Sequence, residues 1–181
     1  MTSTCIALLR AVNVAGHGMV AMADLRRFAA ELGFVDVRTV LQSGNLVFGT
    51  DRKADAELER LLEREAAERL SLRTDFLVRS ADDWTDILEH NPFVDEAKRD
   101  PGRLMVMALK EAPNKSAVEI LQAAITGPEQ LHAAGRQLYI TYPNGMGRSK
   151  LTGKLIETRL GTRGTGRNWN TVLKLAELVR T

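Results

Sequence analysis

Only one cysteine, Cys5, occurs in the 181 residues, so no disulfide can close within the chain and no oxidising compartment is implied. The histidines number three, His17, His90 and His132. They stand far apart, with no cysteine or carboxylate at metal-ligand spacing, and no metal site is expected. Apolar runs are short: none reaches the ~18 to 20 unbroken residues of a membrane helix. The opening MTSTCIALLRAVNV lacks a basic lead-in and breaks its apolar run at Arg10, which makes it a poor signal peptide. The expectation is a cytoplasmic protein with no membrane partner.

Familiar catalytic motifs are missing too. There is no HExxH and no nucleophile elbow. Gly16 and Gly18 lack the third glycine of a dinucleotide fingerprint, and Leu155 stands after Gly153-Lys154 where a P-loop needs Ser or Thr. Cys5 lies in an apolar run and reads as a small core residue. Asp75 and Glu157 have no distinguishing context. No catalytic set and no cofactor follows from the residues, so whether the chain is an enzyme stays open.

What is present is an ordinary globular composition, 44% hydrophobic and 27% charged. A chain of this length buries roughly 70% of its unfolded surface and needs no staples. The net charge of +2 is unevenly spread. Residues 145–181 hold eight Lys or Arg against two Glu, a local +6, which leaves −4 for the other 144 residues. A basic segment on a mildly acidic body suggests an anionic partner, and a solvated helical surface explains it equally well.

The pattern of apolar residues supplies the organisation. CIALLRAVNV reads as a central strand apolar on both faces. MADLRRFAAELG is a helix with Leu25, Phe28, Ala29 and Leu32 on one face. VDVRTVL and NLVFGT are strands joined by a turn at Ser43-Gly44-Asn45. A helix carrying Leu58, Leu61, Leu62, Ala66 and Leu70 follows, then the strand RTDFLVRS. Residues 1–79 thus spell β-α-β-β-α-β, the split order of ferredoxin-like folds. Residues 80–181 repeat the grammar. After a connecting helix ADDWTDILEHN and a polar loop come a strand at RLMVMAL and a helix at NKSAVEILQAAI. Two strands meet at Gly135-Arg136, and a helix runs from Ser149 to Gly161. A last helix then buries Val172, Leu175, Ala176 and Val179. The final strand of the second half is not visible, and the terminal helix is expected in its place. The fold class is therefore α+β, two ferredoxin-like halves from a duplication with an extra C-terminal helix.

Three polar clusters stand out. Arg10 interrupts an apolar strand, and a buried guanidinium costs several kcal/mol unless an anion or carbonyls meet it. The split order places the end of strand one beside the start of strand three, so Arg10, Asn13, Ser43 and Asn45 converge at one sheet edge. The loop YPNGMGRSKLTGK leads from a strand into a helix whose first turn carries Ser149 and Lys150, the general design of a phosphate cradle. At the last helix entrance Arg167, Asn168, Trp169, Asn170 and Thr171 are crowded together, more polar groups than one N-cap needs. Each cluster has a structural reading as turn, cap or internal pair. RNA binding on the sheet face is disfavoured, because strand one has no aromatic and strand three only Phe48. The basic C-terminal helices remain the route to nucleic acid.

LLRAVNV, MADLRRFAAELGFVDVRTVLQSGNLVF, NPF, LYITYPNGMGRSKL and GTGRNWNTVLKL occur in this order, and together they resemble a bacterial family known only as domain of unknown function 1697. Ala11-Val12 depart from the Gly-Ile of its first motif. The resemblance implies a duplicated α+β fold and places Arg10, Asn13, Ser43, Gly44, Asn45, Ser149, Lys150 and residues 167–171 in the family's signature, with no activity attached. The resulting expectation is a phosphate-bearing or other anionic ligand, nucleotide or nucleic acid, bound by Arg10, Asn13, Ser43, Asn45, Ser149, Lys150, Arg167, Asn168 and Asn170. The alternatives are a structural or protein-interaction role, in which these groups lock the halves, and a phosphoryl or nucleotidyl transfer enzyme.

Overall fold

The computed structural model describes residues 1–14 and 18–179. The centre of the AGHG loop, with Gly16 and His17, and the basic Arg180 lie outside the described residues. The chain divides into two compact units, Met1–Asp86 with Lys174–Thr181, and Ile87–Leu173.

In the first unit β1 (Ser3–Leu9), α1 (Met22–Glu31), β2 (Val35–Val40), β3 (Asn45–Thr50), α2 (Ala56–Leu70) and β4 (Phe76–Ser80) follow in the expected order. The strands form one antiparallel sheet in the order β2-β3-β1-β4. One sheet face carries Cys5, Ala7, Leu9, Leu46, Phe48, Phe76 and Val78, packed under Leu25, Phe28 and Ala29 of α1 and Leu58, Leu62 and Ala66 of α2. Full burial of each Leu or Phe contributes about 1.5–3 kcal/mol, so this layer is what holds the unit closed. Phe48 stacks on Phe34 with ring centroids 4.4 Å apart, inside this core and away from any base-stacking role. Asp55 starts α2 by accepting the N–H groups of Glu57 and Leu58.

A helix α3 (Ala81–Glu89) leaves β4, and a short helix α4 (Val94–Arg99) occupies what the sequence presents as a polar loop. Six residues are too few for an apolar stripe. The order acidic Asp95 and Glu96, then basic Lys98 and Arg99, instead complements the helix dipole.

The second unit contains β5 (Leu104–Leu109), α5 (Lys115–Ala123), β6 (Gln130–Ala134), β7 (Gln137–Thr141), α6 (Gly153–Leu160) and β8 (Gly164–Asn168). Its sheet order β6-β7-β5-β8 matches that of the first. The helix α7 (Trp169–Val179) ends the chain. The strand thought missing is therefore there, as β8. It escapes periodicity because GTGRN has no apolar alternation. A Cβ on Gly164 would sit 2.6 Å from the Ala108 carbonyl oxygen, and one on Gly166 would sit 2.1 Å from Met105 Sδ. Close approach to the β5 backbone requires glycine at 164, at 166 glycine leaves room for the Met105 side chain, and the two glycines conceal the strand.

The two units share more than element order. In each, the N–H ending the first strand bonds across to the turn before the third, Leu9 to Gly44 O and Leu109 to Arg136 O. The next N–H bonds to the residue just before the last strand, Arg10 to Asp75 O and Lys110 to Arg163 O. A carboxylate on the second helix receives the first N–H of the last strand: Glu63 holds Phe76 N–H, and Glu157 holds Gly164 N–H, both at 3.0 Å. The helix after the last strand is capped alike, Ser80 Oγ accepting from Asp83 N–H and Asn168 Oδ1 from Thr171 N–H, again both at 3.0 Å. By this register α7 is to β8 what α3 is to β4.

Candidate functional site

The first cluster sits where β1 ends. Arg10 lies past the strand rather than within it, because the chain turns at Ala11 and Asn13, both with positive φ (52° and 53°). Its side chain is 35% exposed and faces Asp75, with Nη1 3.8 Å from Oδ2. The Thr74 hydroxyl donates to the Arg10 carbonyl. The expectation of a guanidinium at the core is thus corrected: the group is reached by water, and a carboxylate of the same unit stands opposite it.

Asn13 donates through Nδ2 to Gln42 O at 2.8 Å and Val20 O at 3.0 Å, and its Oδ1 accepts Val20 N–H at 2.9 Å. One side chain therefore fastens both ends of its own loop and ties them to the β2–β3 turn. Fully buried Asn45 donates to Val40 O and to Ser43 Oγ, which closes that turn. At Gly44 (φ +72°) a Cβ would lie 2.4 Å from Val12 Cγ2. Both donors of Asn13 and both of Asn45 are thus engaged with their own unit, leaving neither amide an N–H for an anion.

The third cluster lies in the second unit. Arg167 and Asn168 end β8, so only Trp169, Asn170 and Thr171 open the helix. Arg167 is 7% exposed and its Nη1 donates to Thr165 Oγ1 at 2.8 Å and to Gly166 O at 2.9 Å. Burial lowers its pKa to about 10, which leaves it charged at neutral pH. The register makes Arg79 its counterpart. Arg79 Nη1 likewise donates to the carbonyl of the preceding residue, Val78 O at 2.8 Å, and lies 3.9 Å from Glu59. Asn168 is the N-cap, its Oδ1 receiving the Thr171 N–H and hydroxyl. Asn170 is exposed.

The second cluster is built differently from its expectation. Helix α6 begins at Gly153 with Thr152 as N-cap, and Ser149 and Lys150 lie before it, after a turn of 3-10 helix at Met146–Arg148. The Gly153-Lys154 pair opens the helix; Ser149 and the Thr152 cap have extended backbone, and between them the chain bends at Lys150, whose carbonyl accepts the Thr152 N–H. Ser149 Oγ donates to Glu129 Oε1 at 2.5 Å and accepts Leu151 N–H. Tyr142 donates to Leu151 O. Its burial, aided by the charge of Glu129, pushes its pKa up to about 12.

Around this loop lies a cleft of about 350 Å³, lined by residues 124–129 on one side and by Asn144, Arg148, Lys150 and Leu151 on the other. That volume falls within the range of small-molecule sites. Among the described residues neither the Arg148 guanidinium nor the Lys150 ammonium has a hydrogen bond or ion pair to the protein, and both side chains are exposed. Arg10, Asn13, Ser43 and Asn45 belong to the first unit, and Ser149, Lys150, Arg167, Asn168 and Asn170 to the second. Among the described residues no group of three or more His, Cys, Asp or Glu is placed to hold a metal ion.

Several working residues carry little sequence signal. Glu59 is buried and holds Val78 N–H, and Glu63 and Glu157 hold strand ends, although each is a carboxylate on an otherwise ordinary helix. Only Glu59, next to Leu58 and one turn before Leu62 and Glu63, hints at a carboxylate turned inward.

No curated protein matches the chain. Among solved structures it is similar to the conserved bacterial protein SP0830 from Streptococcus pneumoniae, with 23% identity over 99% of both chains and a TM-score of 0.77, a likeness of fold. Residues 1–139 match the family model described as a protein of unknown function, DUF1697, a span that ends before the Ser149 and Arg167 clusters. With well over half its length matched, the chain belongs to the DUF1697 family.

Proposed function

We propose that this protein binds a small anionic, phosphate-bearing ligand, and that it does so in the cleft of the second unit. The observation that carries the reading is the pair Arg148 and Lys150, lining a hollow of about 350 Å³ with no protein partner for either charge among the described residues. The other polar clusters serve architecture on this reading. Arg10, Asn13, Ser43 and Asn45 hold the β1 end and its neighbouring turn. Arg167 and Asn168 repeat in the second unit what Arg79 and Ser80 do in the first.

The internal repeat acts as a control. Between β3 and α2 the chain needs five residues, 51–55, but between β7 and α6 it takes eleven, 142–152. Between α1 and β2 it needs three, 32–34, but between α5 and β6 six, 124–129. Both expansions lie at one end of the second sheet, and together they line the cleft. The first unit builds the same fold without them, so the fold does not require them. Expanded loops on a rigid scaffold are where binding resides. The first unit has its own expansion, 10–21 against 110–114, but its described polar groups Arg10 and Asn13 are engaged within the unit. Binding is preferred to turnover because Glu129 is the one carboxylate lining the cleft, and one of its oxygens is committed to Ser149.

Calorimetric titration with inorganic phosphate, mononucleotides and a short oligonucleotide tests this. Binding should weaken by tenfold or more in Arg148→Ala/Lys150→Ala, the loss expected for charged hydrogen bonds, and stay unchanged in Arg10→Ala, which should lower stability alone. If none of these ligands binds, or the double variant binds as well as wild type, the reading fails. Preference for the oligonucleotide, with affinity falling steeply as salt rises, would move the assignment to nucleic acid.

A further inference from the structure

Resting on that reading, we infer that the ligand is a phosphate monoester of a small hydroxylated molecule, a polyol or sugar, whose hydroxyl is received by Glu129. The cleft has two walls of opposite character. The wall at 144–151 presents a guanidinium and an ammonium, and the wall at 124–129 presents a carboxylate.

That carboxylate is held in place. Ser149 Oγ donates to Oε1, and the other oxygen, Oε2, lies 2.3 Å from where a Cβ on residue 127 would be. Glycine at 127 leaves room for the carboxylate in this position; a larger residue would require the Glu129 side chain to shift. Among the described residues Oε2 receives no hydrogen bond. Glu129 is half-buried, and its Oε2 keeps acceptor capacity that a ligand hydroxyl can use in place of water.

Charge then selects the rest of the ligand. Two cations against one carboxylate leave the lining with a net positive charge, which favours an anion over a neutral sugar or a cation. Glu129 also repels a bare anion in so small a space. A phosphate without hydroxyls therefore meets that repulsion uncompensated, whereas a hydroxylated ester turns the same carboxylate into a partner. Specificity here comes from a group that disfavours the simpler ligand as well as from those that attract the better one.

The test compares methyl phosphate, which has no hydroxyl, with glycerol 3-phosphate and ribose 5-phosphate by titration calorimetry on the intact protein. At least one hydroxylated ester should bind wild type tenfold or more tightly than methyl phosphate. In Glu129→Gln methyl phosphate should bind more tightly than in wild type, and the gap between the two ligand kinds should close. The ligand comparison on wild type stands even where the variant is poorly folded. Equal affinities for all three esters, with all of them lost in Arg148→Ala/Lys150→Ala, would overturn this inference and leave anion binding in place. No binding by any ester would remove both.

Discussion

Replacing Gly164 and Gly166 by alanine, one at a time, discriminates between two kinds of tight glycine on the same strand. Both lie on β8 opposite β5, in register with Leu109 and Met107. At Gly164 a Cβ would meet the Ala108 carbonyl oxygen at 2.6 Å, Leu109 Cδ2 at 2.8 Å and Met107 Cε at 2.9 Å. The first of these is backbone within a paired strand, so relief requires β8 to move away from β5 and from the Glu157 carboxylate that holds Gly164 N–H. Overpacking of this kind costs about 1–3 kcal/mol, and backbone displacement puts Gly164→Ala at the upper end. At roughly 2–4 °C per kcal/mol for a chain of this size, Tm should fall by about 5–10 °C. At Gly166 the overlap is shorter, 2.1 Å, but the atom met is Sδ of the partly exposed Met105, a flexible side chain that can swing aside. Gly166→Ala should cost less than half as much, and adding Met105→Ala should recover most of the loss. Urea denaturation with a fluorescence readout, alongside thermal melts, gives both numbers. A Gly164→Ala protein within 0.5 kcal/mol of wild type, as for an ordinary surface change, would refute the claim that close approach of β8 to β5 demands glycine.

Three further outcomes follow from the same geometry. Ser80→Ala and Asn168→Ala should each cost about 1 kcal/mol, the usual loss of an N-cap, and by similar amounts because the two caps occupy corresponding places; paired melts check this. Asn13→Ala removes three hydrogen bonds at once, so amide exchange at Val20 should accelerate at least tenfold while core amides of β1 keep their protection. Burial, with the nearby Asp83 charge, pushes the Cys5 thiol from 9.0 up to about 11. The folded state then favours the neutral thiol, a contribution present in full below pH 9 and lost as pH rises through 11. Native protein should leave Cys5 unreactive toward a thiol reagent at pH 8, and urea should release one reactive thiol.

Sequence pattern recovers what burial writes into it. The stripes Leu25-Phe28-Ala29 and Leu58-Leu62-Ala66 place α1 and α2 on the first core, and the unbroken apolar run Cys5 to Leu9 marks β1 as a strand buried on both faces. What it loses are features set by main-chain geometry. Strand β8 is invisible because glycine, the residue its close approach demands, has no side chain to alternate. The start of α6 shifts from Ser149 to Gly153 because Thr152 is the cap and Ser149 is diverted to Glu129, a partner 20 residues earlier that no local rule supplies. Arg10 is misplaced because the turn at Ala11 rests on a positive φ in a residue with no special preference for it. In each case long-range pairing overrides local propensity.

The polar clusters themselves were legible, but their meaning was not, and the reason is physical. An Asn or Arg that holds a loop and one that holds a ligand share the same donors, and sequence reports the donor without its acceptor. The repeated architecture separates the two uses. Where a polar group has a counterpart doing the same work in the other unit, as Arg167 has in Arg79 and Asn168 in Ser80, the fold alone explains its presence. Where the second unit departs from the first, in loops three and six residues longer, the fold explains nothing. Those loops bring Arg148 and Lys150 to a hollow that Glu129 also lines. Arg148 and Lys150 are exposed and hydrated in the free protein, so it is the expansion of these loops over their counterparts, and not the charges alone, that directs the binding experiment to this cleft.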